Sequence, residues 1–395
     1  MQIIGADRPL SASQHGALTV MLRPASAVVN LAQLWRDLEA RAEISFFLSW
    51  DWIGRWLAET EIAPLLLSAS AGDRIVALAL FRPARLRRHF FVRPRAWLLH
   101  QTGDPDFDAI TIEHNGILVD CGFRDGAIRG CLAHLMSSAA WDEAHFGGVA
   151  DSFAAQLGRS GLGTWTRWRQ PSWIVDLDAV RQSGRPYLET LGASTRYQIR
   201  RSIRRYEERG PLRATAASSV AEALDFFAEM TRLHLHYWRH RGQPGGFSRP
   251  FVVRFHRALI ADCAPRGTVE LVRVAAGDAL IGYVYNFVYR GWVCAYQTGF
   301  VYEPDPKLKP GLVSHALCIE RHRGRQARLY DFMAGGGRYK SNLGTRGPDM
   351  HQIVLQRPIV SLRAEQSLRR AKGIATSWMP WLEPAAGRKS ADGEE

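Results

Sequence analysis

Apolar positions recur along the chain with two periods, and the alternation between them lays out the elements. In the first half, helical spacing runs from Val29 to Ala42. It returns in Ser45–Leu57 (SFFLSWDWIGRWL), where Phe47, Trp50, Ile53 and Trp56 form the stripe of a helix that packs on a core. Short apolar runs predict strands at Pro64–Ser68, Ile75–Phe81, Ala96–His100, Glu143–Val149 and Trp173–Leu177, with helices at Ala127–Ala139 and Asp151–Arg159. A stretch punctuated by Gly and Pro, Arg181–Thr195, leads into an Arg-rich helix, Arg196–Gly210, which marks a domain boundary. Beyond it the pattern predicts strands at Leu212–Ala217, Val269–Ala275, Leu280–Tyr289, Trp292–Phe300, Arg328–Met333 and His351–Gln356. Helices are predicted at Val220–His240, Pro250–Cys263 and Gly311–Arg323.

Both halves mix helices and short strands in a similar way. The expected class is α/β with a mixed (α+β) sheet in each of two duplicated domains, residues 1–180 and 181–360. An extension, 361–395, follows, and its polar tail after Glu383 is expected to be disordered.

Length and composition agree with this reading: 395 residues, 46% hydrophobic and 23% charged, are ordinary for a folded protein of two domains. The net charge of +13 favours anionic partners such as phosphates, nucleic acid or an acidic membrane surface. Only five of the 51 cations are lysines, a bias that a GC-rich genome produces by itself. The five cysteines lack any CxxC or Cys/His spacing and read as reduced thiols. No basic and apolar leader opens the chain, and no run of about 18 apolar residues occurs, so a cytoplasmic protein is expected, with peripheral membrane contact left open.

Chemistry concentrates in two segments. In Tyr296–Glu320 a strand ends in a loop bearing Lys307 and Lys309, and Pro310-Gly311 then opens a helix. Free N–H groups at Gly311, Leu312, Val313 and Ser314 are expected to point at an anion favoured by the helix dipole. In Arg328–Gly344 a strand carrying Asp331 runs into Gly335, Gly336 and Gly337, which allow close backbone approach, followed by Tyr339-Lys340. Elsewhere, His236 and His240 share a helix face with His234 nearby, but no Glu stands at an HExxH position and no third ligand is evident, so no metal is expected. Asp104, Asp106, Asp108 and Glu113 crowd one loop, either to line an acceptor pocket or as a solvated acidic surface. The Arg-rich helix carries Arg196, Arg200 and Arg204 on one stripe and Arg201, Arg205 and Arg209 on the next. That surface fits RNA, a CoA 3′-phosphate, a nucleotide-linked sugar, or solvent.

These residues bring a resemblance into view. The Arg-rich helix, Trp238, Arg241-Gly242, Phe247, Gly282, Pro310-Gly311-Leu312, Tyr330-Asp331-Phe332, Gly335 and Tyr339-Lys340, in that order, resemble the acetyltransferase domain of the CelD/BcsL group. That group is associated with cellulose and exopolysaccharide biosynthesis and belongs to the GNAT superfamily. The aromatic helix near the start also resembles the group's opening helix. The resemblance implies two tandem GNAT-like halves, as in Fem-type aminoacyl transferases, with acyl-CoA held by the C-terminal half. Measured against the usual GNAT fingerprint of Gln or Arg, two residues, Gly, one residue, then Gly or Ala, only Gly311 is kept. Leu308 and Val313 stand at the other two positions.

By this resemblance Lys307, Lys309, Gly311, Leu312, Val313, Ser314 and Gly335 hold the co-substrate, acetyl-CoA or a longer acyl-CoA. Tyr339 gives a proton to the leaving thiolate, Asp331 or His315 serves as base, and Lys340 neutralises a phosphate or polarises the carbonyl. Asp104, Asp108, Trp238 and Tyr296 line the acceptor side. The expected activity is acyl-CoA-dependent N- or O-acyl transfer to a sugar or amine acceptor, a precursor of a cell-envelope polysaccharide, glycolipid or sugar nucleotide. Two alternatives stay open: a Fem-like transferase that takes its donor from aminoacyl-tRNA, and a non-catalytic GNAT scaffold that regulates polysaccharide synthesis.

Overall fold

The computed structural model describes residues 18–88 and 92–368; the opening segment and the polar tail read above lie outside them. In chain order the first half holds β1 (Leu18–Pro24), α1 (Leu31–Glu39), α2 (Trp50–Thr60), β2 (Leu65–Ala71), β3 (Arg74–Arg85), β4 (Arg95–Leu99), β5 (Leu118–Val119), α3 (Arg124–Ser137), β6 (Glu143–Ala150), α4 (Asp151–Gly158) and β7 (Gly163–Gln170). The second holds β8 (Ser172–Asp176), α5 (Leu177–Gln182), α6 (Tyr187–Thr190), α7 (Ala193–Glu207), β9 (Leu212–Ala216), α8 (Val220–His240), α9 (Pro250–Cys263), β10 (Val269–Ala276), β11 (Ala279–Tyr289), β12 (Trp292–Phe300), α10 (Pro310–Gly324), β13 (Leu329–Ala334), α11 (Arg338–Leu343), β14 (Thr345–Arg346) and β15 (Met350–Gln356).

The strands form two mixed sheets flanked by helices. One has the order β1-β2-β3-β4-β6-β15-β7, with β5 paired to β3; the other has the order β14-β8-β13-β12-β11-β10-β9. Each sheet contains one parallel pair. In the first, β4 and β6 pair at Ala96/Glu143, Trp97/Ala144 and Leu98/His145. In the second, β12 and β13 pair at Trp292/Leu329, Val293/Tyr330 and Cys294/Asp331. Both pairs then separate, leaving a wedge whose backbone groups need other partners. Asn115 closes the first wedge, its amide donating to the carbonyls of Leu99 (3.2 Å) and Gly147 (2.9 Å) on the two sides.

Sheet membership cuts across the boundary expected at residue 180. β8, from the expected first domain, pairs with β13 and β14, and β15, from the expected second, is inserted between β6 and β7. The apolar run at β15 shows that a central strand is present, but nothing in its pattern names the sheet that receives it. The helix expected over Ser45–Leu57 also starts late. Phe46–Leu48 form a 3-10 turn, and Ser49 caps α2 by accepting from the Trp52 N–H and donating to the Phe46 carbonyl.

Ile53 and Trp56 of the expected stripe are buried and Trp50 is half-buried, while Trp52, outside that stripe, is buried against the other half. Trp52 lies edge-on to Phe255 of α9, and Phe46 stacks on Phe287 of β11 with 4.5 Å between ring centres. One hydrophobic core therefore draws on both halves, from Trp35 and Leu78 to Met230 and Phe287. Unfolding in urea is expected to be a single transition, with fluorescence and circular dichroism superimposable. Trp52→Ala should lower the stability of the whole chain by about 3–5 kcal/mol rather than melt one half alone.

Candidate functional site

Where β12 leaves β13, a cavity of about 560 Å³ opens between the end of α8, the Gln243–Arg249 segment, the C-terminal end of β12, the start of α10 and α11. Of the residues singled out from the sequence, His234, Trp238, Lys309, Gly311, Leu312, Gly337 and Tyr339 line it. The wall is strongly aromatic, with Tyr237 stacked on Tyr302 and Phe300 close by.

The start of α10 has no side-chain cap; Lys309 occupies the cap position and Pro310 has no N–H to give. The Val313 N–H already donates to the Lys309 carbonyl, and the Lys309 N–H donates to Ser202 Oγ of α7. The amides left free beside the cavity are therefore those of Gly311 and Leu312, not the four consecutive ones expected. Val313 and Ser314 are buried and do not line the cavity, and Lys307 is exposed away from it. Gly311 is packed tightly: a Cβ there would meet the Phe300 ring at 3.2 Å. Gly337 reaches the wall, but Gly335 does not; it packs on the Lys340 ammonium, and its carbonyl accepts from the Trp173 indole.

The expected acid and base groups are distributed differently from their reading in the sequence. Tyr339 lines the cavity with its ring stacked on His315, and burial raises its pKa, so it stays a neutral hydroxyl. His315 sits behind it, 1% exposed, with Nδ1 3.1 Å from the Tyr330 hydroxyl. Burial and the nearby Lys340 charge push its pKa down to about 3. Asp331 and Lys340 face away from the cavity into a cluster between the halves. There Asp331 Oδ2 lies 2.8 Å from His114 Nε2 and accepts from the Trp292 indole, while Oδ1 accepts from the Met333 N–H. The Lys340 ammonium donates to the Ala334 carbonyl at 2.8 Å, and Glu113 accepts from the Ala334 N–H at 2.8 Å. Burial lowers the pKa of Lys340, with Glu113 and Asp331 opposing, and raises that of Glu113.

The acceptor-side expectations divide in the same way. Asp108 spends its carboxylate on the N–H groups of Thr102 and Gly103 and the Thr102 hydroxyl, and Asp104 accepts from the Asp106 N–H. Both brace their own loop. Tyr296 is partly buried against the shared core beside His256 and donates to the Ile110 carbonyl. The acidic loop reaches the cavity rim only through Asp106, which pairs with the lining residue Arg249 at 2.8 Å. Arg205 of α7 and Arg209 just beyond its end pair with Asp305 and Glu303 of the loop before α10, and Arg200 of α7 pairs with Glu189. His236 and His240 touch each other on the exposed face of α8, and no group of three or more metal-ligating side chains occurs among the described residues.

Sequence reasoning missed His234, Tyr237, Gln297, Thr298, Tyr302 and the Gly245-Gly246 turn as cavity wall. The aromatic pair Tyr237-Trp238 at the end of a long helix, followed by Gly-Gln-Pro-Gly-Gly, was the available signal. His234 was weighed only as a metal ligand. In the structure its Nδ1 lies 3.2 Å from the Thr298 carbonyl, and Nε2 is buried with no protein partner.

Residues 193–341 match the family model described as an acetyltransferase (GNAT) domain. The matched stretch lies in the second half, from the start of α7 into α11, and takes in the strands and helices that frame the cavity. The fold as a whole is similar to three solved structures. FemX has 12% identity, covering 83% of this chain and 96% of that one, with a TM-score of 0.55. The C-terminal DUF2156 domain of an Agrobacterium fabrum protein has 11% identity, with 87% and 95% covered and a TM-score of 0.52. L-PGS from Bacillus licheniformis has 10% identity, with 86% and 96% covered and a TM-score of 0.50. No curated protein matches the chain in sequence.

The interface cluster has a signature in pH. Burial disfavours the charged form of His114, but Asp331, aided by Glu113, outweighs it and holds the pKa above its ordinary value. The stabilisation this gives is fully present below the unfolded value of about 6.5 and is lost as pH rises through the folded value. His114→Gln should therefore flatten the decline of urea-unfolding stability between about pH 6 and pH 8, by comparison with the parent.

Proposed function

We propose that the protein is an acyl-CoA-dependent N- or O-acyltransferase whose donor binds in the β12/α10 cavity. The observation that carries this reading is the uncapped start of α10, whose Gly311 and Leu312 line the cavity beside Lys309. Free amides at a helix N-terminus with an adjacent cation suit a pyrophosphate. The departing end of β12, through Gln297, Thr298 and Gly299, supplies a strand edge against which an extended donor can lie. When bound, the donor supplies an activated thioester carbonyl, and the chain's part is to orient it. Tyr339, neutral and on the wall, suits a hydrogen bond to the departing sulfur, because burial makes it hold its proton too firmly to give it up to a thiolate. Cell-envelope precursors remain the acceptor class we favour, in keeping with the sequence resemblance and with the fold shared with FemX and L-PGS.

Titration with acetyl-CoA tests the donor. Micromolar binding is expected in the parent, with at least about tenfold weaker binding in Lys309→Glu/Gly311→Asp. Because a Cβ at position 311 presses on the Phe300 ring, Lys309→Glu alone is the control: it should weaken binding in the same direction while circular dichroism and urea stability stay at parental values. An aminoacyl-tRNA donor would instead show as tRNA binding that weakens steeply with salt and no affinity for acetyl-CoA. Tyr339→Phe is expected to lower kcat by about a hundredfold with little change in KM for the donor. Unchanged turnover would remove the hydroxyl from the mechanism.

A further inference from the structure

The wall of the cavity has a simple acid–base inventory. It contains the cations Lys309 and Arg249, the tyrosines Tyr237, Tyr302 and Tyr339, no carboxylate, and one histidine. Tyrosines ordinarily ionise near pH 10 and the two cations higher still, so none of these accepts a proton near neutrality. The carboxylate and imidazole named from the sequence, Asp331 and His315, do not line the cavity.

His234 differs from every other lining residue. It is 7% exposed, held on α8 between Trp238 and Phe247, with its ring edge beneath the Gly245 turn, where a Cβ would come within 3.3 Å of Cδ2. The Thr298 carbonyl can only accept, so the proton of the neutral ring resides on Nδ1 and Nε2 carries a lone pair. No protein group hydrogen-bonds that lone pair. A buried acceptor without a partner costs about 1–3 kcal/mol and calls for a reason.

We infer that His234 is the general base of the transfer, with Nε2 taking the proton of the acceptor's nucleophilic N–H or O–H. This rests on the acyl-CoA reading above. As the acceptor's nitrogen or oxygen bonds to the thioester carbon, its proton passes to Nε2. The C–S bond breaks with its electron pair on sulfur, the thiolate takes a proton from water, and the imidazolium returns its own to solvent. Thr298 is a positioning residue: its carbonyl fixes the tautomer that leaves Nε2 basic. Burial keeps the ring neutral by lowering its pKa, with the Thr298 carbonyl opposing. The other titratable groups near it are Tyr237 on α8, Arg249, Lys309, Tyr339, and His256 of α9 behind Phe247, whose own pKa burial lowers to about 3.

The test compares the full-length parent with His234→Asn, in which the amide nitrogen takes the place of Nδ1 and can still donate to the Thr298 carbonyl. Thiol release from acetyl-CoA is followed with water alone, with glucosamine, and with hydroxylamine, which reaches the site as a free base. The assignment expects kcat with glucosamine to fall by about a hundred- to ten-thousandfold. Acetyl-CoA affinity should stay within about twofold, the hydroxylamine reaction should be largely spared, and the acidic limb of the pH profile should disappear. Three results overturn it: glucosamine turnover within about threefold of the parent, equal loss with all acceptors, or a parent that binds acetyl-CoA but releases no thiol. A parent that fails to bind acetyl-CoA sinks the donor reading instead. In that case the ring-nitrogen spectrum of ¹⁵N-histidine-labelled protein still decides the point: a neutral ring protonated on Nδ1 supports the assignment, and one protonated on Nε2 overturns it.

Discussion

Everything distinctive in this protein follows from parallel strands that stay paired for three positions and then part. A parallel pair that continued would satisfy its own backbone and leave no room between the strands. Parting creates unpaired N–H and C=O groups and a volume that side chains, another segment or a ligand must fill. The two sheets resolve the same problem differently. In the first, Asn115 bridges both sides and closes the wedge. In the second, Glu113 and His114 secure the β13 side, and the β12 side stays open as the cavity wall.

Three consecutive residues thus serve both sheets: Glu113 and His114 reach into the second while Asn115 reaches into the first. The loop that does this is held in unusual backbone geometry, with Thr111 and His114 both at φ 48° and Met333 opposite at φ 64°. Non-glycine residues adopt that region at a cost that surrounding contacts must outweigh. Here the contacts are a buried acid–histidine pair and a lysine held by two carbonyls. The placement of Tyr339 depends on them indirectly, since Lys340, its neighbour in sequence, is anchored in that cluster.

The long elements of the second half were legible in the sequence, while the short ones, α5, α6, α11 and β14, were not. α8, α9 and β12 fall where the periodicity puts them, because long, clearly periodic segments bounded by Gly, Pro or Ser leave little freedom in their ends. The edge strand β7, with its exposed TWTRWR pattern, carries too little hydrophobic contrast to be read, and the partner of β15 is a matter of topology. At the site, the opening of α10 and Tyr339 were readable because their chemistry is local: a proline, glycines, a lysine and a tyrosine in sequence. Asp331, Lys340 and His315 were noticed but not located: the Asp331 partner His114 comes from a loop 217 residues away, His315 meets Tyr330 of β13, and Lys340 turns back onto the Met333 and Ala334 carbonyls at the end of that strand. His234 could not be understood without the Thr298 carbonyl, 64 residues further along the chain, which sets its tautomer.

The position of β15 also bears on the order in which the protein can be completed as it is synthesised. β7 has no place in the first sheet except through β15, which lies between it and β6. The amino-terminal sheet therefore cannot close until residue 356 has emerged from the ribosome, after every strand of the carboxy-terminal sheet has been made. The half that is translated first is, in its final form, the half that is finished last.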